Sequence, residues 1–230
     1  MIRAILFSAT FIINSLFSLA QIKSEDVTIN NQAIQLPGTL TYTKENSPLI
    51  IWVHGSGAVD RNGAPSNYIK QFREAINKKE IAFFSYDKRT INPKNAPFLK
   101  DGIYISDFIF DVQEVVSYFK KNNRFSKIIL AGHSQGSLIA MKALDGVDKL
   151  ISLAGAGETI DKTLVRQLTA QNTTLGATAL KHFKELKNTG EIKEVNPSLI
   201  SIFAKPNQAF WLSWIELDPI KEIRKTNTYY

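Results

Sequence analysis

The sequence predicts an α/β domain: a mostly parallel sheet with helices on both faces, topped by a helical cap. Three observations carry that prediction. Residues 49–53, 81–86 and 127–131 are short, nearly continuous apolar runs of the kind found in strands buried on both faces. Amphipathic helical stretches alternate with these runs, as parallel crossovers require. From residue 158 to about 214 the pattern becomes helical, polar and strand-free, which is too long for a simple connection.

Each element follows in order. Val27 and Ile29 alternate with polar neighbours, Asn30-Asn31 reads as a turn, and Leu40-Thr41-Tyr42-Thr43 reads as a second strand, giving an antiparallel edge hairpin. Pro48 opens the strand Leu49-Ile50-Ile51-Trp52-Val53. Ser66 is placed to cap a helix reaching about Lys79, with Ile69, Phe72 and Ile76 on one side. Ile81-Ala82-Phe83-Phe84-Ser85-Tyr86 is the next strand. Ser106 opens a second helix with Phe108, Val112, Val115 and Phe119 at helical spacing. A strand over 127–131, a helix containing 138–144 and a strand over 150–154 complete the alternation. Gly155-Ala156-Gly157 marks the passage into the cap, where Phe203, Phe210, Trp211 and Trp214 are candidates to face a pocket.

Length and composition narrow the class. At 230 residues, 44% hydrophobic and 21% charged, the chain is long enough for one globular domain with a full core. It has no cysteine, which excludes disulfides, a thiol nucleophile and a cysteine metal site. His54, His133 and His182 are too scattered to suggest a metal cluster. The net charge of +7 is spread through predicted helices. It reads as a solvated basic surface, without the spacing of a nucleic-acid-binding motif.

The first twenty residues differ in kind. Met1-Ile2-Arg3 is a short basic start, residues 4–19 are almost wholly apolar, and Ser18-Leu19-Ala20 resembles a small-x-small cleavage site before Gln21. The apolar run falls short of the ~20 residues that span a bilayer. The expectation is therefore a cleaved signal, an exported (periplasmic or secreted) protein and no stable membrane span after cleavage.

The chemistry centres on Gly132-His133-Ser134-Gln135-Gly136, a G-x-S-x-G run between a predicted strand and a predicted helix. A serine on so sharp a turn needs small residues two places before and after it, where the chain passes closely. The helix that follows aims N–H groups at charge developing on the serine. Ser134 is thus a candidate nucleophile, and the N–H of Gln135 a candidate oxyanion donor. His54-Gly55-Ser56-Gly57 after the strand at 49–53 is a candidate for the other donor. His54 reads as a structural residue bonded to nearby backbone, and His133 as pointing away from Ser134 Oγ.

Together, H-G-S-G after one strand, Tyr86-Asp87-Lys88-Arg89 after the next and G-H-S-Q-G after the third resemble the α/β-hydrolase superfamily, from about Leu40 onward. The stretch His54-Gly55-Ser56-Gly57-Ala58-Val59-Asp60-Arg61-Asn62-Gly63 is similar to that of bacterial exported esterase-like or serine-aminopeptidase-like members. The resemblance implies an α/β-hydrolase-type sheet, Ser134 as nucleophile, and Ser56 and Gln135 as the backbone N–H donors. It implies hydrolysis of carboxylic esters, or of amide or peptide bonds, through an acyl-enzyme without a metal or organic cofactor. The substrate would be a small-molecule ester or short peptide; the oligomeric state stays open.

The resemblance also implies a departure. The superfamily places its acid and histidine after the nucleophile, and the strands that carry them are not recognisable here. The catalytic acid and histidine are thus expected to be absent from this chain, and the sheet to lack its last strands, exposing an edge. His182 reads as a solvated cap residue, Asp218 before Pro219 as a helix N-cap, and Asp87 as a brace for the loop around the site. The expected organisation is a signal peptide at 1–20, the α/β-hydrolase core at 21–157, a helical cap insertion at 158–216 and the start of a truncated C-terminal core segment at 217–230. Activity is expected to be impaired. The alternatives are a non-catalytic ligand- or partner-binding protein of the same fold and a truncated gene product without function.

Overall fold

In the computed structural model, residues 21–226 are described; the expected signal at 1–20 lies outside them. Strands β1 (Lys23–Asn31) and β2 (Ile34–Tyr42) form an antiparallel hairpin at one edge of a six-stranded sheet. The turn falls at Gln32-Ala33 instead of Asn30-Asn31, with Gln32 at φ 53°. Asn31 stays in the ladder opposite Ile34, and its side chain donates to Asp111 Oδ1 at 2.9 Å. Strands β3 (Pro48–Val53), β4 (Ala82–Tyr86), β5 (Lys127–His133) and β6 (Lys149–Leu153) are parallel to one another, and the order across the sheet is β1-β2-β4-β3-β5-β6.

Period-two alternation in β3 builds both faces. Leu49, Ile51 and Val53 enter the main core under α2 (Ile105–Asn122) and α3 (Gln135–Lys142). Ile50 and Trp52 pack the opposite face with Ile69 of α1 (Tyr68–Asn77). Phe108, Val112, Val115 and Phe119 of α2 are buried, as their spacing predicts. Each such side chain stabilises the fold by about 1.5–3 kcal/mol.

The start of α1 departs from expectation. Ser66 does not cap it; Asn67 holds the N-cap position at φ 55°, and Ser66 Oγ donates to the Gly63 carbonyl. The loop before the helix folds back on itself there, so Ser66 closes a turn. Phe72 is partly exposed, whereas Arg73 and Asn77 are buried and bind Ser85, Asn62 and the Thr41 and Ile81 carbonyls.

Helices α4 (Ile160–Gln171), α5 (Thr173–Thr189), α6 (Ile200–Phe203) and α7 (Lys205–Ile215) surround a second core of Leu168, Phe183, Leu186 and Phe203. Helix α7 ties it to the sheet layer. Trp214 sits in the main core, and Ser213 Oγ accepts from the Ile105 N–H at 3.0 Å. Asp218 caps α8 (Pro219–Lys225) by accepting from the Ile220 N–H. Among the described residues β6 is the other edge strand, paired on one side to β5 and with Ile151 39% exposed. No helix among them is long and apolar enough to cross a membrane.

Candidate active site

Strand order places the site. The chain runs from β3 through α1 to β4 on one side, then through α2 to β5 on the other. Connections therefore diverge at the C-terminal ends of β3 and β5, where open parallel sheets bind ligands. The loop after β3 begins His54-Gly55-Ser56, and the turn after β5 is Ser134.

Ser134 stands between β5 and α3 at φ 53°, ψ −118°. Its N–H donates to the Leu153 carbonyl at 2.9 Å, and Ser137 Oγ donates to the Gly132 carbonyl at 2.7 Å, so β6 and α3 both brace the turn. The flanking glycines supply space. A Cβ on Gly132 would lie 2.3 Å from the Gly136 carbonyl oxygen, and one on Gly136 would lie 2.1 Å from that of Val53. The elbow is thereby pressed against the end of β3. A Cβ on Gly55 would sit 3.5 Å from Ser134 Cβ, which puts the Gly55–Ser56 peptide beside the serine. Gln135 is the first residue of α3, and its N–H has no partner within the helix.

The loop after β3 is held by side chains of its own run. Asp60 Oδ1 accepts from the Asn62 and Ala64 N–H groups. Asp87 receives Arg61 twice through the guanidinium and once through its backbone N–H, at 2.9–3.0 Å. Arg73 holds Asn62. Asp87 thus braces the loop.

None of the three histidines is hydrogen-bonded to Ser134 among the described residues. His54 Nε2 is bonded to the Tyr86 carbonyl, and burial pulls its pKa down to about 4, keeping it neutral. His133 stacks on Trp52 at 6.2 Å. His182 is not the solvated residue expected: it is 4% exposed, its ring meets Phe203 edge-on at 5.3 Å, and its Nε2 accepts from the Asn196 N–H. The reason is tertiary, since its face of α5 packs against α6.

A cavity of about 450 Å³ opens beside the Ser134 turn; Gln135 lines it, and Ser134 is not among its lining residues. Ser56, Gln135 and Phe108 line one side, and Ile202 of α6 with Phe210, Trp211 and Trp214 of α7 line the other as its roof. Phe203, the fourth aromatic candidate, does not line it and is fully buried in the second core. Its place on α6 turns it inward onto Phe183.

Lys88, which the sequence places in the Tyr86-Asp87-Lys88-Arg89 run without assigning it a role, also lines this cavity. It is 4% exposed, its Nζ donates to the Gly55 carbonyl at 2.8 Å and to Gln135 Oε1 at 3.2 Å, and it lies 4.6 Å from the Phe108 ring centroid. Burial lowers its pKa to about 8, partly countered by Asp111. The one signal in the sequence was its place beside Asp87 and Arg89 at the end of β4. Arg89 is buried too, paired through two hydrogen bonds with Asp111 at 2.7–2.8 Å.

No protein-family model matches the chain. In sequence it is 26% identical over 152 residues to the esterase EstD of Thermotoga maritima, a match covering 64% of this chain and 35% of EstD. In structure it resembles the Pyrococcus furiosus esterase Pf2001, with a TM-score of 0.55 and 20% identity over 90% of this chain and 68% of that one. It also resembles the α/β hydrolase GrgF of Penicillium sp. sh18, with a TM-score of 0.54 and 14% identity over 87% of this chain and 75% of that one. The match thus spans about a third of the length of the curated relative. The likeness to the two solved structures is one of fold.

Proposed function

We propose that this chain, which has the α/β-hydrolase fold, is a serine hydrolase of carboxylic esters with Ser134 as its nucleophile. The observation that carries the reading is the backbone at Ser134. A non-glycine residue at φ 53°, ψ −118° is costly, and here packing at Gly132 and Gly136 enforces it next to the Gly55–Ser56 peptide. Ser134 Oγ would attack the acyl carbonyl, and the N–H groups of Ser56 and Gln135 would receive the oxyanion. The leaving alcohol departs, and water releases the acyl group from the serine.

The cavity favours esters over the amine-terminated substrates of an aminopeptidase. The Lys88 ammonium in its lining repels an α-ammonium group, while its aromatic roof suits an apolar acyl or alcohol group. Similarity to the esterase EstD supports the same choice.

Rapid acyl transfer also needs a base for Ser134, and none of the three histidines is hydrogen-bonded to it among the described residues; His54 and His182 are bonded to backbone and His133 stacks on Trp52. That observation favours a second reading, a non-catalytic binding protein on the same scaffold. A fluorophosphonate probe separates the two. Under the first reading the folded chain is modified at Ser134, by mass, and Ser134→Ala is not. A folded chain that stays unmodified while a control serine hydrolase reacts overturns the first reading in favour of the second. Export is part of the proposal, resting on residues 1–20; a mature N-terminus at Gln21 in an exported fraction is the expected finding.

A further inference from the structure

We infer that Lys88 is the positioning residue of the oxyanion site, setting both of its backbone donors from behind; this rests on the reading of Ser134, Ser56 and Gln135 just given. The geometry starts from one peptide unit. The Gly55–Ser56 bond is trans, so its C=O and N–H point in opposite directions. Lys88 Nζ holds the Gly55 oxygen at 2.8 Å, which fixes the plane of that peptide and turns the Ser56 N–H away from the lysine. The same ammonium reaches Gln135 Oε1 at 3.2 Å, on the residue whose own N–H is the second donor. One side chain therefore spans the end of β3 and the start of α3, the two pieces that must keep register for the donors to converge.

The choice of a lysine needs a reason, because a buried ammonium is costly. Among the described residues Lys88 has no carboxylate within ion-pair distance; its partners are a carbonyl, an amide oxygen and the Phe108 ring. Around it stand Asp111 of α2, which is committed to Arg89, then Asp87, committed to Arg61, and the neutral His54 at the end of β3. The positive N-terminus of α3 adds to the cost. A positive charge left so weakly compensated is placed to favour an anion forming on the far side of the Gly55–Ser56 peptide. Burial lowers the Lys88 pKa to about 8, so the charge is present at neutral pH and lost above it.

The test is the rate of Ser134 phosphonylation by a fluorophosphonate, whose phosphoryl oxygen takes the oxyanion position. Lys88→Met is expected to slow the maximal rate about 10- to 100-fold at neutral pH, with little change in the probe's half-saturation. The chain has no cysteine, so Lys88→Cys carries a unique thiol, and alkylation with 2-bromoethylamine should restore most of the rate. The ratio of wild-type to Lys88→Met rates should shrink as pH rises through about 8. A folded Lys88→Met protein labelled within about threefold of wild type at every pH overturns the inference. Should the variants fail to fold, ¹⁵N NMR of the wild type decides: the Ser56 and Gln135 amides should titrate together, with one midpoint below that of an ordinary lysine, and their failure to shift together overturns it. Absence of Ser134 labelling in the wild type strikes the hydrolase reading instead, and the NMR titration still judges the contacts of Lys88.

Discussion

The strain at Ser134 can be measured by comparing Ser134→Gly with Ser134→Ala. Both variants lose the hydroxyl; only the first loses Cβ. At φ 53°, ψ −118° the residue occupies the conformation of the first central position of a type II′ turn, a glycine position. A side chain there costs about 1–3 kcal/mol. Glycine removes that cost but gives up about 0.5–1 kcal/mol through its freer unfolded chain. The turn cannot relax to escape the strain, because Gly136 is already against the Val53 and His54 carbonyls. The net expectation is that Ser134→Gly exceeds Ser134→Ala by about 1 kcal/mol, which for a domain of this size is roughly 2–4 °C in Tm. Calorimetry and urea unfolding of the two proteins at one pH provide the comparison. A Ser134→Gly protein no more stable than Ser134→Ala would refute the claim that packing holds the serine in a strained backbone.

Gly136→Ala should destabilise by about 3 kcal/mol, the upper end for overpacking, because its Cβ meets backbone 2.1 Å away. Gly157→Ala, with open space around it, should stay within about 0.5 kcal/mol in the same urea titration. Asp111→Ala leaves the buried Arg89 without its main partner and should cost about 3–5 kcal/mol; pairing it with Arg89→Met should recover part of that loss. His54 is neutral in the fold with a pKa of about 4, below the ~6.5 of an unfolded chain. The unfolded state therefore takes up the proton first. The His54 contribution is complete above about pH 6.5 and is lost as pH falls toward 4, worth roughly 3 kcal/mol across that window. His54→Phe should show a flatter fall in Tm between those pH values.

How much of this was legible depended on the range of the interaction. The strands at 48–53, 82–86 and 127–133 stand where their apolar runs said, because a strand buried on both faces needs nothing but continuity. The strand-turn-helix at Ser134 was legible for a local reason, since Gly132 and Gly136 are the two positions where a side chain has no room. Asp218 capping α8 was legible for the same kind of reason. Ser66 misled, because its hydroxyl had two local options and the loop geometry chose the Gly63 carbonyl. His182 misled, because a histidine among lysines looks solvated until α6 covers it.

By itself the sequence determined the class of fold, the alternation of its elements and the turn that presents Ser134. Those depend on periodicity, glycine spacing and caps, all of which act within a few residues. Only the tertiary structure decided that β4 lies between β2 and β3, so that the connections diverge beside Ser134. It alone decided that Phe210, Trp211 and Trp214 roof the cavity while Phe203 does not. It alone brought Lys88 to Gly55 and Gln135, residues 33 and 47 positions away in the chain. A buried ammonium takes its meaning from the acceptors around it, and those were assembled by strand order, which no local pattern encodes.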